Sequence, residues 1–133
     1  MAGPCLPVLR RSAWWLAAAF AAAMLVLLIV LAGDEATIAA IPLAAWVAAP
    51  IAVAAGFVEA SSTRLGASAF MTLEIAMIAS VVWVVVDFLY LHPSAFGGVS
   101  LILLPFVHAT GLLIMFLGAM LFGWRMRPDF LRN

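Results

Sequence analysis

The feature that most constrains this chain is its four apolar runs, at residues 13–31, 36–58, 67–91 and 99–122. At about 1.5 Å per residue, each is long enough to cross a hydrocarbon layer roughly 30 Å thick. Lipid offers nothing to backbone N–H and C=O groups, so such runs must satisfy those groups internally, as helices. They use most of the 133 residues and leave no stretch long enough for a soluble domain. The expected fold class is an all-α integral membrane protein: one domain, residues 1–133, with four transmembrane helices in an up-down bundle. A composition of 68% hydrophobic and 9% charged residues is too apolar for a small water-soluble core.

The first run admits a second reading. Arg10 and Arg11 precede AWWLAAAFAAAMLVLLIVL and a small-residue LAG follows, which is the outline of a signal peptide. The run exceeds the roughly 7 to 15 apolar residues of a signal sequence, so a retained helix is expected. The second run, ATIAAIPLAAWVAAPIAVAAGFV, holds Pro42 near its start and Pro50 in its middle. Pro50 removes a backbone hydrogen bond and predicts a kink, read as a packing feature more than a gating hinge. EASSTRLG connects the second and third runs. HPSAFGG, with Pro93, Gly97 and Gly98, is expected to turn the chain before the fourth.

All six basic residues are arginines, at 10, 11, 64, 125, 127 and 132. With four spans these fall on one side, and Asp34, Glu35 and His92 fall on the other. The positive-inside bias then predicts both termini and the middle connection on the cytoplasmic side of a cell inner or plasma membrane. Trp14, Trp15 and Trp124 fit one interfacial belt and Trp83 and Tyr90 the other, whereas Trp46 fits neither and is expected between helices. The arginines form no basic groove, so no nucleic-acid partner is expected. Cys5 is the single cysteine, which excludes an intrachain disulfide or a CxxC site.

Three ionisable side chains lie within the apolar slab: Glu74, Asp87 and His108. Intramembrane charge costs on the order of 2.5 to 3.5 kcal/mol at a helix centre, so each requires a reason. Asp87 lies near the outer interface beside Tyr90 and His92 and is read as an interface residue. Glu74 is about 10 Å deep from one side and His108 about 13 Å from the other, which matches their depths to within about 7 Å. The expectation is a Glu74–His108 hydrogen bond or ion pair, acting as structural glue or as a proton or cation site. Thr72, Ala76 and Ser80 repeat every four residues as a small-residue packing face of the third helix. His108, Gly111, Met115 and Gly118 form a comparable stripe on the fourth. Glu74 points about 200° away from Thr72.

The sequence holds no glycine-rich phosphate loop, no metal-ligand spacing and no Ser, His and acid set at one depth, so neither enzyme activity nor a cofactor or metal is expected. Two functional readings remain. The favoured one is a non-enzymatic accessory, structural or assembly subunit of a membrane complex, whose partners are the lipid bilayer and other membrane subunits or further copies of itself. The alternative is a small oligomeric proton-coupled transporter or channel using Glu74 and His108.

Overall fold

The computed structural model describes residues 5–91 and 96–121, and side chains throughout these except at 32–37, 39 and 96–98. The side chains of Asp34 and Glu35, together with all of His92, Pro93, Trp124 and the arginines beyond residue 121, lie outside the described residues. Three helices carry the chain: α1 (Cys5–Ala60), α2 (Arg64–Val86) and α3 (Phe96–Leu121), with α2 running on into a π-helical turn over Asp87–Leu91. They provide four segments apolar and long enough to cross a membrane, Cys5–Leu31, Ala40–Ala60, Arg64–Leu91 and Val99–Leu121. The chain is therefore a helical, multi-pass membrane protein.

The expected boundary between the first two helices differs from what is observed. Backbone helix is unbroken from Cys5 to Ala60, yet Arg10 Nη2 donates to the Ser61 carbonyl at 2.7 Å. A straight helix would hold these residues about 76 Å apart. α1 is thus a hairpin of two limbs, Cys5–Leu31 and Ala40–Ala60, which reverses between them. Leu28 and Leu43 lining one apolar pocket fits a turn near the midpoint. The helix also begins eight residues before the expected start, because Pro7 falls in its first turn, where a missing N–H breaks no helical bond.

α1 ends at a polar cluster. Ser61 Oγ donates back to the Phe57 carbonyl at 2.8 Å, and the Arg10 guanidinium takes the Ser61 carbonyl that the helix end leaves without a partner. Thr63 then starts α2 in an extended conformation, its Oγ1 accepting the Gly66 N–H at 3.1 Å. A Cβ on Gly66 would lie 3.1 Å from that oxygen, which explains a glycine there. This cap shortens the expected EASSTRLG connection to three residues, Ser61–Thr63, and draws Arg64 into the helix. α3 likewise starts at Phe96, so Gly97 and Gly98, expected in the turn, belong to its first turn.

The core lies where the limbs of α1 meet α2. Ala13 and Ala17 from the first limb, Val47, Ile51, Ala54, Ala55 and Val58 from the second, and Phe70 and Val81 from α2 are all buried. Phe57 stacks on Phe70 with centroids 5.0 Å apart and meets Phe116 of α3 in a tilted contact at 5.4 Å. Alanine dominates the limb contacts, which lets the backbones approach closely in the manner of membrane helices.

A direct check is the distance between the limb ends. With Cys5 replaced by serine, spin labels at positions 8 and 63 are expected about 15–25 Å apart by pulsed electron resonance, where an extended α1 would give about 80 Å.

Candidate functional site

Glu74 lies on the buried face of α2, on the stripe Phe70, Glu74, Met77, Val81, which recurs at helical spacings of three and four. Its residue exposure is 0%, and among the described residues neither carboxyl oxygen has a hydrogen-bond partner. A three-residue connection joins the second limb to α2, and Phe57 stacks on Phe70 across them. Glu74 shares this buried face with Phe70, which stacks on Phe57 of the second limb. A buried polar group with no hydrogen bond costs roughly 1–3 kcal/mol in proteins, and far more if it is charged.

His108 is 6% exposed and reaches a different partner. Its Nε2 lies 2.7 Å from Ser80 Oγ, while Ser80 Oγ is also 2.7 Å from the Met77 carbonyl. The hydroxyl has one proton for these two acceptors. When it goes to Met77, His108 must carry its proton on Nε2; when it goes to His108, the imidazole proton sits on Nδ1. In both cases Nδ1 is buried without a partner.

The expected Glu74–His108 bond is therefore absent, and the reason is angular. Six residues separate Glu74 from Ser80, which places them about 120° apart around α2 and roughly 9 Å apart along it. Glu74 faces the α1 hairpin, whereas Ser80 faces α3. Similar depth in the membrane did not suffice to bring Glu74 and His108 together.

The two small-residue stripes do meet, in part. Ala76 and Ser80 of α2 and His108 and Gly111 of α3 line one shallow groove of about 270 Å³. Thr72 turns outward instead, its hydroxyl bonding the Ser68 carbonyl at 2.9 Å. Gly111 and Gly118 were expected at a close helix crossing, but among the described residues a Cβ on either would meet nothing within 4 Å. α3 is not pressed against a neighbour at these glycines.

Trp46 does sit between helices, as its position outside both belts implied. Its indole N–H donates to the Ile102 carbonyl at 3.0 Å, and its ring meets Phe106 edge-on at 5.2 Å. Pro105 lies in the next turn, where its missing N–H and its bulk disturb the carbonyls of the turn before it. Helix α1 runs through Pro50 without ending. Pro50 and Pro105 line one apolar groove of about 480 Å³ together with Trp46.

Among the described residues no group of three or more His, Cys, Asp and Glu side chains is placed to hold a metal ion. Compared with known proteins, the chain matches no family model, and no curated protein or solved structure is similar to it.

Two substitutions test the site. Glu74→Met keeps the volume and removes the unpartnered carboxyl, so it is expected to raise unfolding resistance in detergent by about 1–3 kcal/mol; an unchanged or lower midpoint would show that the carboxyl has a partner. A double-mutant cycle with Ser80→Ala and His108→Ala is expected to give a coupling of roughly 0.6–1.7 kcal/mol, whereas Glu74→Gln with His108→Ala should give none.

Proposed function

We propose that the chain is a non-enzymatic accessory or assembly subunit of a membrane complex, an up-down bundle with both termini on the cytoplasmic side of the inner or plasma membrane. The observation that carries this reading is where the polar side chains use their hydrogen bonds. Ser80 with His108, Trp46 with the Ile102 carbonyl, and Arg10 with the Ser61 carbonyl each tie one helix or limb to another. Ser68, Thr72 and Thr110 bond carbonyls of their own helices. Polar groups used in this way hold helices in register. The remaining face is broadly apolar, with Ile38, Val107, Ile114 and Leu121 each more than 60% exposed, and Gly111 and Gly118 stand open on α3. Open glycines on an apolar helix are what a further membrane helix uses to approach closely.

The topology rests on two supports. Arg10 on Ser61, Phe57 on Phe70 and Ser80 on His108 are contacts that neighbouring antiparallel helices produce. Arg10, Arg11 and Arg64 then gather at one end of the bundle, which the positive-inside bias assigns to the cytoplasm.

One observation favours the alternative, a proton- or cation-coupled transporter: Glu74 is wholly buried with both oxygens unpartnered, and unpaired intramembrane carboxyls are a hallmark of ion pathways. Glu74→Gln separates the readings. Under the accessory reading, vesicles containing the protein show no pH-driven flux before or after substitution, and affinity capture retrieves the same membrane subunits from wild type and variant. A flux that the substitution abolishes while assembly is unchanged would overturn that reading. In the same capture experiment Gly118→Leu is expected to reduce partner recovery severalfold while the isolated chain stays folded, because its Cβ meets nothing within 4 Å among the described residues.

A further inference from the structure

A second groove, of about 520 Å³, opens between the first limb of α1 and α2 at the arginine-bearing end. One wall is a single stripe of the first limb, in which Arg11, Ser12, Trp15 and Ala19 recur at helical spacing, and Met71 of α2 faces it. The lining joins the Arg11 guanidinium, the Ser12 hydroxyl and the Trp15 indole to apolar Val8, Leu16, Ala19 and Met71, and along the first limb Leu16 and Ala19 lie about 7–12 Å farther from the basic end than Arg11. Arg64 adds to this basic end. It lies seven residues before Met71, hence within about 20° of the same face of α2 and about 10 Å nearer the basic end, and it is exposed. The neighbouring Arg10 has a different use, turned inward onto the Ser61 carbonyl.

We propose that this groove binds one anionic phospholipid, its phosphate held by Arg11, Ser12 and Arg64 and one acyl chain laid along Leu16, Ala19 and Met71. Charge complementarity selects the headgroup. Arginines from two adjacent helices, with the Ser12 hydroxyl beside Arg11, present donors that fit phosphate oxygens. Basic recesses between membrane helices on the cytoplasmic side are the places where anionic headgroups lodge. The floor selects a lipid over a free anion, because an apolar track directly beneath a phosphate site matches the order of chemistry along a phospholipid. Trp15, 67% exposed, sits at the junction where an indole is best accommodated, between headgroup and hydrocarbon.

The test uses the full chain in neutral detergent, titrated with phosphatidylglycerol or with phosphatidylcholine of identical acyl chains, and read by native mass spectrometry. One phosphatidylglycerol per chain is expected, bound about thirtyfold more tightly than phosphatidylcholine on the strength of two guanidinium contacts. Arg11→Gln combined with Arg64→Gln is expected to erase that preference. Should the double variant fail to fold, Arg11→Gln alone is expected to lower the preference about fivefold. Ala19→Phe keeps both arginines and fills the floor, and should weaken phosphatidylglycerol retention by roughly tenfold. Equal retention of the two lipids by the wild-type chain, or a preference that survives the arginine substitutions, overturns the proposal. Complete displacement by millimolar inorganic phosphate, with indifference to Ala19→Phe, would leave a bare anion contact and overturn the assignment to lipid.

Discussion

Hydrocarbon supplies no partner for a backbone hydrogen bond, and the architecture of this chain follows from that constraint. Helix persists wherever the backbone would otherwise stand unsatisfied in lipid, including straight through Pro42, Pro50 and Pro105. Where helix ends, side chains take over the orphaned groups. The Ser61 carbonyl goes to Arg10 and the Gly66 N–H to Thr63, so the second limb of α1 and the start of α2 are both closed at the same polar knot. The three-residue connection there brings α2 back onto the α1 hairpin and builds the alanine-rich core.

Association of the helices cannot draw on the hydrophobic effect in the usual way, since lipid tails are as apolar as leucine. Close contact and a few polar links serve instead. Phe57 lies between Phe70 and Phe116 and joins three segments through ring contacts, while the Ser80–His108 and Trp46–Ile102 bonds attach α3 to α2 and to the second limb. Glu74 departs from this economy of polar groups. It occupies the same buried stripe as Phe70 and Met77, takes up core volume, and returns no hydrogen bond among the described residues. A residue so placed either completes itself through another molecule or a local rearrangement, or marks a site of charge movement, and the two functional readings differ on that point.

Several features were legible from residue pattern. The four spans, the placing of Trp46 away from both belts, and the angular separation of Glu74 from Thr72 follow from period and length, because helical angle is a property of one segment; that Thr72, expected on a packing face, is exposed did not. The partner of His108 was not legible, although its ingredients were: Ser80 and Ala76 on one stripe, His108 and Gly111 on another. These stripes meet across α2 and α3. Matching Glu74 to His108 by depth ignored the 120° that separates Glu74 from Ser80 around α2. The glycines misled in the other direction. Gly111 and Gly118 carry the pattern of a close crossing, yet space stands open at both in the single chain.

The sequence by itself determined that this protein is helical and lies within a membrane, because run length and apolarity decide whether a backbone can be satisfied in hydrocarbon without any reference to neighbours. Only the tertiary structure decided which faces touch: that Glu74 looks into the α1 hairpin, that His108 takes Ser80, that Arg10 turns inward while Arg11 lines a groove. The physical reason is rotational. In lipid, the rotation of each helix about its axis is set by side-chain packing and by a few hydrogen bonds with its neighbours, and those partners are brought together only when separate segments of the chain come into contact.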